Sequence, residues 1–258
     1  NITEPCFWVN GVILALAVAY VDDFLVAYDL HQSDSVAEFQ QLQNLYEWGQ
    51  WESGTFKQTA TVIKQDHYRG QWGGFTESLQ SYAEEIEPVR ISHARRKQVD
   101  DHLTKLELTE LRGLLGQLMW LGTQAVVQVL APLSFLLGLQ SKATVSTLLE
   151  ASRLLRRGQE WSRTPLKIHA HENPCVIAFT DGSLQTRHDG ASQGGYLVAI
   201  AESSILQGYE SPLILVSWHS GKAPILARSS TAIEVQSASI GEEELQYVRH
   251  VLAETLFG

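Results

Sequence analysis

The distribution of apolar residues predicts strands near the start of this chain. Residues 11–20 form an almost unbroken apolar run, two acidic residues follow, and residues 24–28 form a second apolar run. Two such runs around a short polar break predict a β-hairpin with acids at its tip. Residues 33–50 carry apolar side chains at helical spacing, and residues 54–90 hold short strand-like pieces interrupted by glycines.

The middle of the chain is predicted to be helical. Leucines recur at i, i+3, i+4 and i+7 over residues 111–118, and Thr109 is placed to cap the start of that helix. Residues 126–137 repeat the pattern, and Pro132 is expected to kink or restart the second helix. A third amphipathic helix is predicted over residues 148–161.

Beyond residue 165 the period changes to that of strands. Residues 175–180, 196–200 and 214–218 are three predicted strands, and residues 231–252 form a final helix-rich segment. Three strands followed by a helix indicate an α/β (α+β) fold. Residues 165–174, which begin and end with proline, are the predicted boundary between the helical middle and this last segment.

The net charge of −10 hides a strong asymmetry along the chain. Residues 1–87 carry 13 acids and 3 bases, residues 88–170 carry 6 acids and 12 bases, and residues 171–258 carry 10 acids and 4 bases. A basic middle between two acidic ends favours a nucleic-acid partner beside carboxylate metal sites, although ordinary surface variation explains it equally simply.

The longest apolar run is too short to cross a bilayer. Cys6 and Cys175 lack metal-ligand spacing and favour an intracellular setting.

The first group of residues with chemical potential is the acidic pair Asp22 and Asp23, in the sequence YVDD of residues 20–23. Neighbouring side chains on a strand point to opposite faces, so two adjacent acids share a site only at a tight turn. Two close carboxylates repel unless a divalent cation lies between them. The alternative is a β-turn that merely contains two aspartates, which are common turn residues.

The second group joins Asp181 to Glu234. Asp181 ends an apolar strand in the sequence TDGS, and Glu234 lies at the start of the final predicted helix. Separately, the two residues are equally compatible with a turn aspartate and a solvated helical glutamate. Together, in this order and with strands between them, they favour a metal site of the kind used in two-metal phosphoryl transfer.

Both groups lie in stretches that resemble the polyproteins of copia-like retrotransposons. Residues 20–26 resemble the catalytic hairpin of a reverse transcriptase, and residues 180–183, 214–222 and 229–234 resemble the opening of ribonuclease H. The resemblance implies a palm remnant over residues 1–87, a helical thumb and connection over 88–170, and a truncated ribonuclease H-like domain over 171–258. Its implied metal ligands and catalytic residues are Asp22, Asp23, Asp181 and Glu234.

The same resemblance implies a set of cofactors and partners. The cofactor would be Mg²⁺ or Mn²⁺, and the partners of the parent protein would be an RNA template, an RNA–DNA hybrid and deoxynucleoside triphosphates, in a cytoplasmic virus-like particle or the nucleus. Family members have a further metal-binding aspartate upstream of the hairpin and another after the next strand. Neither falls within these 258 residues, so we expect both sites to be incomplete here and this chain alone to be inactive.

Two basic groups are candidates for phosphate contacts. Arg95, Arg96 and Lys97 form one, and Arg153, Arg156 and Arg157 form the other, although solvated surface residues would look the same. Two further interpretations of the whole chain remain open. One is a decayed or host-adopted remnant that binds nucleic acid or a protein without catalysis, and the other is an unrelated α/β hydrolase.

Overall fold

The computed structural model describes residues 6–9, 13–20, 23–58, 61–68 and 71–257. Helices and antiparallel sheets are both present, as expected for an α+β chain. The chain divides into two compact units, one formed by residues 1–53 with 246–258 and the other by residues 54–245. Within the described ranges, no helix is both long and apolar enough to cross a membrane.

The first unit contains the predicted hairpin. Its elements are β1 (Cys6–Val9), β2 (Ile13–Tyr20), β3 (Asp23–Tyr28) and helix α1 (Ser33–Leu45), with the strands in the order β1-β2-β3. Strands β2 and β3 pair antiparallel, and the last pair is Tyr20 with Asp23. This pairing confirms the two predicted strands. Val21 and Asp22, at the predicted tip, lie outside the described residues, as does the side chain of Asp23.

The second unit contains two sheets and a group of helices. In chain order its elements are β4 (Thr55–Gln58), β5 (Thr61–Tyr68), β6 (Gln71–Ser78), α2 (Gln80–Glu85), α3 (His93–Arg96), α4 (Lys105–Gln124), α5 (Leu130–Gly138), α6 (Val145–Trp161), β7 (Leu166–Ile168), β8 (Pro174–Ser183), β9 (Gln193–Glu202), β10 (Ile214–Lys222) and the first part of α7 (Ser230–Phe257). One antiparallel sheet has the order β4-β5-β6-β7, and the other has the order β10-β9-β8. Residues 165–174, the expected boundary, therefore include a strand that pairs with β6.

Helix α4 begins earlier than the sequence pattern predicted. Thr104 caps it, because its hydroxyl accepts the backbone N–H of Glu107 at 3.3 Å while a Glu107 carboxylate oxygen accepts the backbone N–H of Thr104 at 2.8 Å. This reciprocal capping box satisfies two N–H groups that have no partner within the helix. The prediction that Thr109 caps this helix was wrong. It lies inside α4, where its hydroxyl donates to the carbonyl of Lys105.

The helices of the second unit enclose one apolar core. The predicted periodicity of α4 is confirmed, since Leu111, Leu115 and Leu118 are at most 1% exposed. They pack with apolar residues of α2, α5 and α6. The predicted restart is also confirmed, because Pro132 stands in the first turn of α5, where its missing N–H leaves no helical hydrogen bond unmade.

Candidate functional site

Strand β8 brings Asp181 to a defined face of the β8–β10 sheet. A Cβ at Gly182 would lie 2.8 Å from the carbonyl oxygen of Ile233 in α7, and a Cβ at Gly241 would collide with Thr180. Residues 180 and 182 of β8 therefore face α7, and only glycine at 182 permits so close an approach. Because side chains alternate along a strand, Asp181 lies on the opposite face.

That opposite face forms a groove with α5 and the turn before it. The groove, which we call the Asp181 groove, has a volume of about 440 Å³ and is lined by Asp181 and Phe179 of β8, Trp218 of β10 and Phe135 of α5, among others. Phe179 is 50% exposed and Asp181 is exposed. An acid beside accessible aromatic rings can take part both in charge-dependent chemistry and in stacking against a flat ligand.

Two long-range contacts hold the walls of the Asp181 groove together. The indole N–H of Trp218 donates to the carbonyl of Gly122 at the end of α4, at 2.9 Å. On the other side, Arg187, in the loop between β8 and β9, donates to the hydroxyl and to the carbonyl of Ser134 in α5, each at 2.8 Å. The groove is therefore fixed by hydrogen bonds from β10 and from the β8–β9 loop to helices that lie far away in sequence.

Arg187 is buried, which is unusual for arginine. Its guanidinium also donates to the side-chain carbonyl of Gln193, and it lies 5.4 Å from the centre of the Phe135 ring. Gln193 in turn donates to the hydroxyl of Ser220 at 2.9 Å. These bonds satisfy the buried charge and join α5 to β9 and β10 at the floor of the groove.

The loop between β8 and β9 carries one further ion pair. Asp189 accepts from the ammonium of Lys222 at 2.6 Å, and this hydrogen bond lowers the pKa of the Asp189 carboxyl. The pair is exposed at the surface, so its contribution to the free energy of unfolding is small. It fixes the end of β10 beside the same loop that Arg187 anchors.

The structure places the predicted acids as follows. Asp181 stands near the end of β8 and Glu234 in the second turn of α7, as expected, and each adjoins a residue of the Gly182–Ile233 contact. Glu234 is exposed. Among the described residues, no three histidine, cysteine, aspartate or glutamate side chains form a group that could hold a metal. Because Asp181 lies on the face of the sheet opposite α7, the described geometry does not direct its carboxylate towards Glu234. A shared metal between the two acids stays an untested prediction.

The first predicted basic group is divided by the structure. Arg95 forms ion pairs with Glu107 at 2.9 Å and Asp101 at 3.3 Å. It also donates to Gln98 and to the carbonyl of His102, so all five of its N–H donors are occupied. Its predicted phosphate contact is therefore replaced by a structural role at the start of α4.

The remaining basic candidates lie at the surface. Arg96 and Lys97, at the end of α3, are exposed. Arg153, Arg156 and Arg157 are exposed on one face of α6, whose other face is buried in the helical core. None of these five side chains forms an ion pair within the part of the chain that the structure describes. Their charges are available to an anionic partner.

No protein-family model, curated protein or solved structure matches this chain.

Sequence reasoning missed the groove itself. Arg187 and Trp218 hold its walls through partners far away in sequence, since Ser134 is 53 residues from Arg187 and Gly122 is 96 residues from Trp218. Such separations leave no periodic signal. The glycine at 194 was a usable signal. It matches no phosphate-binding motif, yet a Cβ there would lie 2.7 Å from the hydroxyl of Ser237, which points to close packing of α7 on the sheet.

Proposed function

We propose that this chain is the nucleic-acid-binding part of a copia-like retrotransposon polyprotein, which joins the end of a reverse transcriptase to the start of a ribonuclease H-like domain. In the parent protein those domains would copy RNA into DNA and degrade the RNA of the hybrid. For this chain, we propose binding of an RNA–DNA hybrid along the Asp181 groove. The supporting observation is that Asp181, the residue singled out by the ribonuclease H resemblance, opens onto a groove with accessible aromatic rings.

The order and packing of the last elements support the same proposal. Three antiparallel strands, β8 to β10, precede a helix that packs against them through Gly182 and Gly194. This is the arrangement expected for the opening of a ribonuclease H-like domain. Asp181 lies near the end of β8 and Glu234 near the start of α7, so along the chain the two acids follow the order that the resemblance implies.

The described residues do not provide a complete metal centre. Two acids alone hold Mg²⁺ poorly, since the ion requires near-octahedral oxygen ligation, and no group of three suitable side chains forms within the described ranges. We therefore propose hybrid binding, and no hydrolysis, for this chain by itself. Mg²⁺ or Mn²⁺ would act only when further ligands from the parent protein complete the site.

The exposed arginines of α6 are the proposed source of affinity. Contacts from arginine to phosphate release counterions, so the logarithm of the association constant falls linearly with the logarithm of salt concentration, by about 0.9 for each phosphate neutralised on a duplex. Three side chains at positions 153, 156 and 157 lie within one turn of helix and can follow one phosphate backbone.

The test is a salt titration of hybrid binding by fluorescence anisotropy. We expect the combined change of Arg153, Arg156 and Arg157 to Glu to weaken binding and to reduce the salt slope by up to about 3. The matched control reverses three exposed bases elsewhere, Arg163→Glu, Lys167→Glu and Arg228→Glu, and should change the slope less. Equal effects of the two triple variants would refute the role of the α6 face.

A second candidate function is a non-catalytic remnant that binds nucleic acid or protein. The position of Asp181 on the face of the sheet opposite α7, the helix that carries Glu234, favours it. Cleavage of a labelled hybrid with Mg²⁺ or Mn²⁺ discriminates between the two when it is tested in a longer protein that carries the flanking sequence. Cleavage abolished by Asp181→Asn supports the enzyme, while hybrid binding without any cleavage supports the remnant.

A further inference from the structure

The first unit carries a row of aromatic rings beside β3, the last strand of its sheet. Ring contacts with centres 4.3 to 5.4 Å apart join β3, α1 and the segment that follows α1. We call this set the aromatic row, and its members are Phe24, Tyr28, Phe39, Tyr46, Trp48 and Trp51. Phe24 and Tyr28 stand four residues apart on one face of β3, which is roughly 13 Å at the rise of a strand. The row therefore has about the length of four extended residues.

The rings of the aromatic row are accessible, although they touch one another. None of the six is buried, and Phe24 is 38% exposed and Tyr46 67% exposed. In a closed core, rings in mutual contact would be shielded from water. Trp48 is also held in place, because its indole N–H donates to the carbonyl of Leu42 in α1 at 2.9 Å. The row is therefore an ordered aromatic surface that is open to a ligand.

The charge around the aromatic row has one sign. Residues 1–53 contain eight acids and neither lysine nor arginine, and residues 246–258, which complete the unit, add one glutamate and one arginine. Every ring of the row has an acid as its neighbour in the chain, and these acids are Asp23, Asp29, Glu38, Glu47 and Glu52. The last four, whose side chains are described, form no ion pair with any described residue. Their negative charge is therefore available to a cationic partner.

Aromatic faces and carboxylates together recognise cations. A guanidinium or ammonium group over the face of an aromatic ring is attracted by the ring's electrons, most strongly over tryptophan. Neighbouring carboxylates add to this attraction and repel phosphate, so the surface favours a basic partner over a nucleic acid. Arginine fits better than lysine, because its planar guanidinium stacks on a ring and is more weakly hydrated. A row of this length accommodates several such side chains from one peptide.

We propose that the aromatic row is a docking site for an arginine-rich segment of a partner protein. Arginine side chains of that segment would stack on the exposed rings, and the neighbouring carboxylates would form ion pairs with them. The proposal is independent of hybrid binding, since the Asp181 groove belongs to the second unit. It also gives a role to the acidic start of the chain, to which the hybrid-binding proposal assigns none.

The test is fluorescence anisotropy of labelled hexa-arginine titrated with the full chain. We expect saturable binding that is tighter than the binding of hexalysine, and no binding of hexaproline, which is extended but uncharged. Trp51→Leu and Tyr46→Leu keep an apolar side chain and remove the ring, and together they should weaken hexa-arginine binding about fivefold or more. Glu47→Gln with Glu52→Gln should also weaken it, by a larger factor at low salt than at high salt.

Matched variants in the second unit separate the aromatic row from general attraction to an acidic protein. Tyr209→Leu removes a ring that is 66% exposed, and Glu242→Gln with Glu243→Gln removes two exposed charges of α7. Both controls should bind hexa-arginine nearly as tightly as the wild type does. Circular dichroism checks that the variants fold, and Tyr46→Leu alone provides the same test at a more exposed position if the double variant does not fold.

The possible results separate this proposal from its alternatives. Loss of hexa-arginine affinity in the row variants, with unchanged controls, supports it. Equal losses in row and control variants would overturn it and indicate general charge attraction, and tight binding of hexaproline would overturn it in favour of a proline-rich partner. Binding of labelled oligo(U) that is lost in Trp51→Leu would overturn it in favour of a nucleic acid. Binding of the RNA–DNA hybrid should be unchanged in the row variants, so failure of either proposal leaves the other intact.

Discussion

Two regions of the second unit are packed in opposite ways, one by large apolar side chains and the other by glycines. The helical core of α4, α5 and α6 is filled by leucines such as Leu115 and Leu118, which are at most 1% exposed. The contact between α7 and the β8–β10 sheet is instead made by Gly182, Gly194 and Gly241, where backbone meets backbone or a small side chain. Both surfaces of that sheet border open space, which is the Asp181 groove on one side and a cavity lined by Ile233 and Ser237 of α7 on the other.

The difference separates stability from function. Close packing of leucines stabilises the unit through burial of apolar area and leaves no room for a ligand. The contact between α7 and the sheet instead brings backbone close to backbone at Gly182, and the hydroxyl of Ser237 has no hydrogen-bond partner among the described residues. We therefore expect substitutions in the helical core to change the free energy of unfolding most, and substitutions around the sheet to change ligand binding most.

The largest loss of stability is expected for Leu118→Ala. The side chain is fully buried among the helices, so the change removes apolar contacts and leaves a cavity, with an expected cost of about 2–5 kcal/mol. Urea denaturation followed by circular dichroism measures it, with the exposed Leu106→Ala of the same helix as control. A similar small loss in both variants would contradict the assignment of the core.

A smaller loss is expected for Gly182→Ala. The new Cβ would lie 2.8 Å from the carbonyl oxygen of Ile233, so α7 must move away from β8 at an expected cost of about 1–3 kcal/mol. Gly116→Ala is the matched control, because a Cβ there meets nothing within 4 Å and alanine is the better helix former. The control should gain up to about 1 kcal/mol in the same denaturation experiment.

Much of the secondary structure could be predicted from the sequence, because short-range periodicity determines it. The leucine spacing of α4, the hairpin strands β2 and β3 and the strand before Asp181 are examples. The groove could not be predicted, since the pairing of Arg187 with Ser134 depends on tertiary structure. A charged residue is normally expected at the surface, and only the fold brings a buried hydroxyl and carbonyl to it.

The helix cap, in contrast, could have been predicted from the sequence. Glu107 stands three residues after Thr104, as in a capping box, whereas Arg112 stands three residues after Thr109. We expect Thr104→Ala to cost about 1 kcal/mol in the free energy of unfolding. Thr109→Ala, the control, should stay within about 0.5 kcal/mol of the wild type, and a reversed order would contradict the observed start of α4.

The smallest expected effect is a pH dependence from Glu107. Hydrogen bonds from Arg95 lower the pKa of this carboxyl from 4.5 to about 2 in the folded protein. A carboxyl with a lowered folded pKa contributes stability that is complete above about 4.5 and is lost as the pH falls towards about 2. Glu107→Gln should therefore lose more stability relative to the wild type at pH 7 than at pH 3. A constant difference in urea midpoints would show that the carboxylate charge contributes nothing.

The placement of the hybrid in the Asp181 groove is tested most directly by photo-crosslinking. Phe179, half exposed in the groove, is replaced by p-benzoylphenylalanine, and the same residue is introduced for Leu206, which is 74% exposed in the turn before β10. After irradiation with a labelled RNA–DNA hybrid, we predict a crosslinked product from position 179 and none from position 206. A hybrid that binds and crosslinks at 206, or fails to crosslink at 179, would place the nucleic acid elsewhere on the protein.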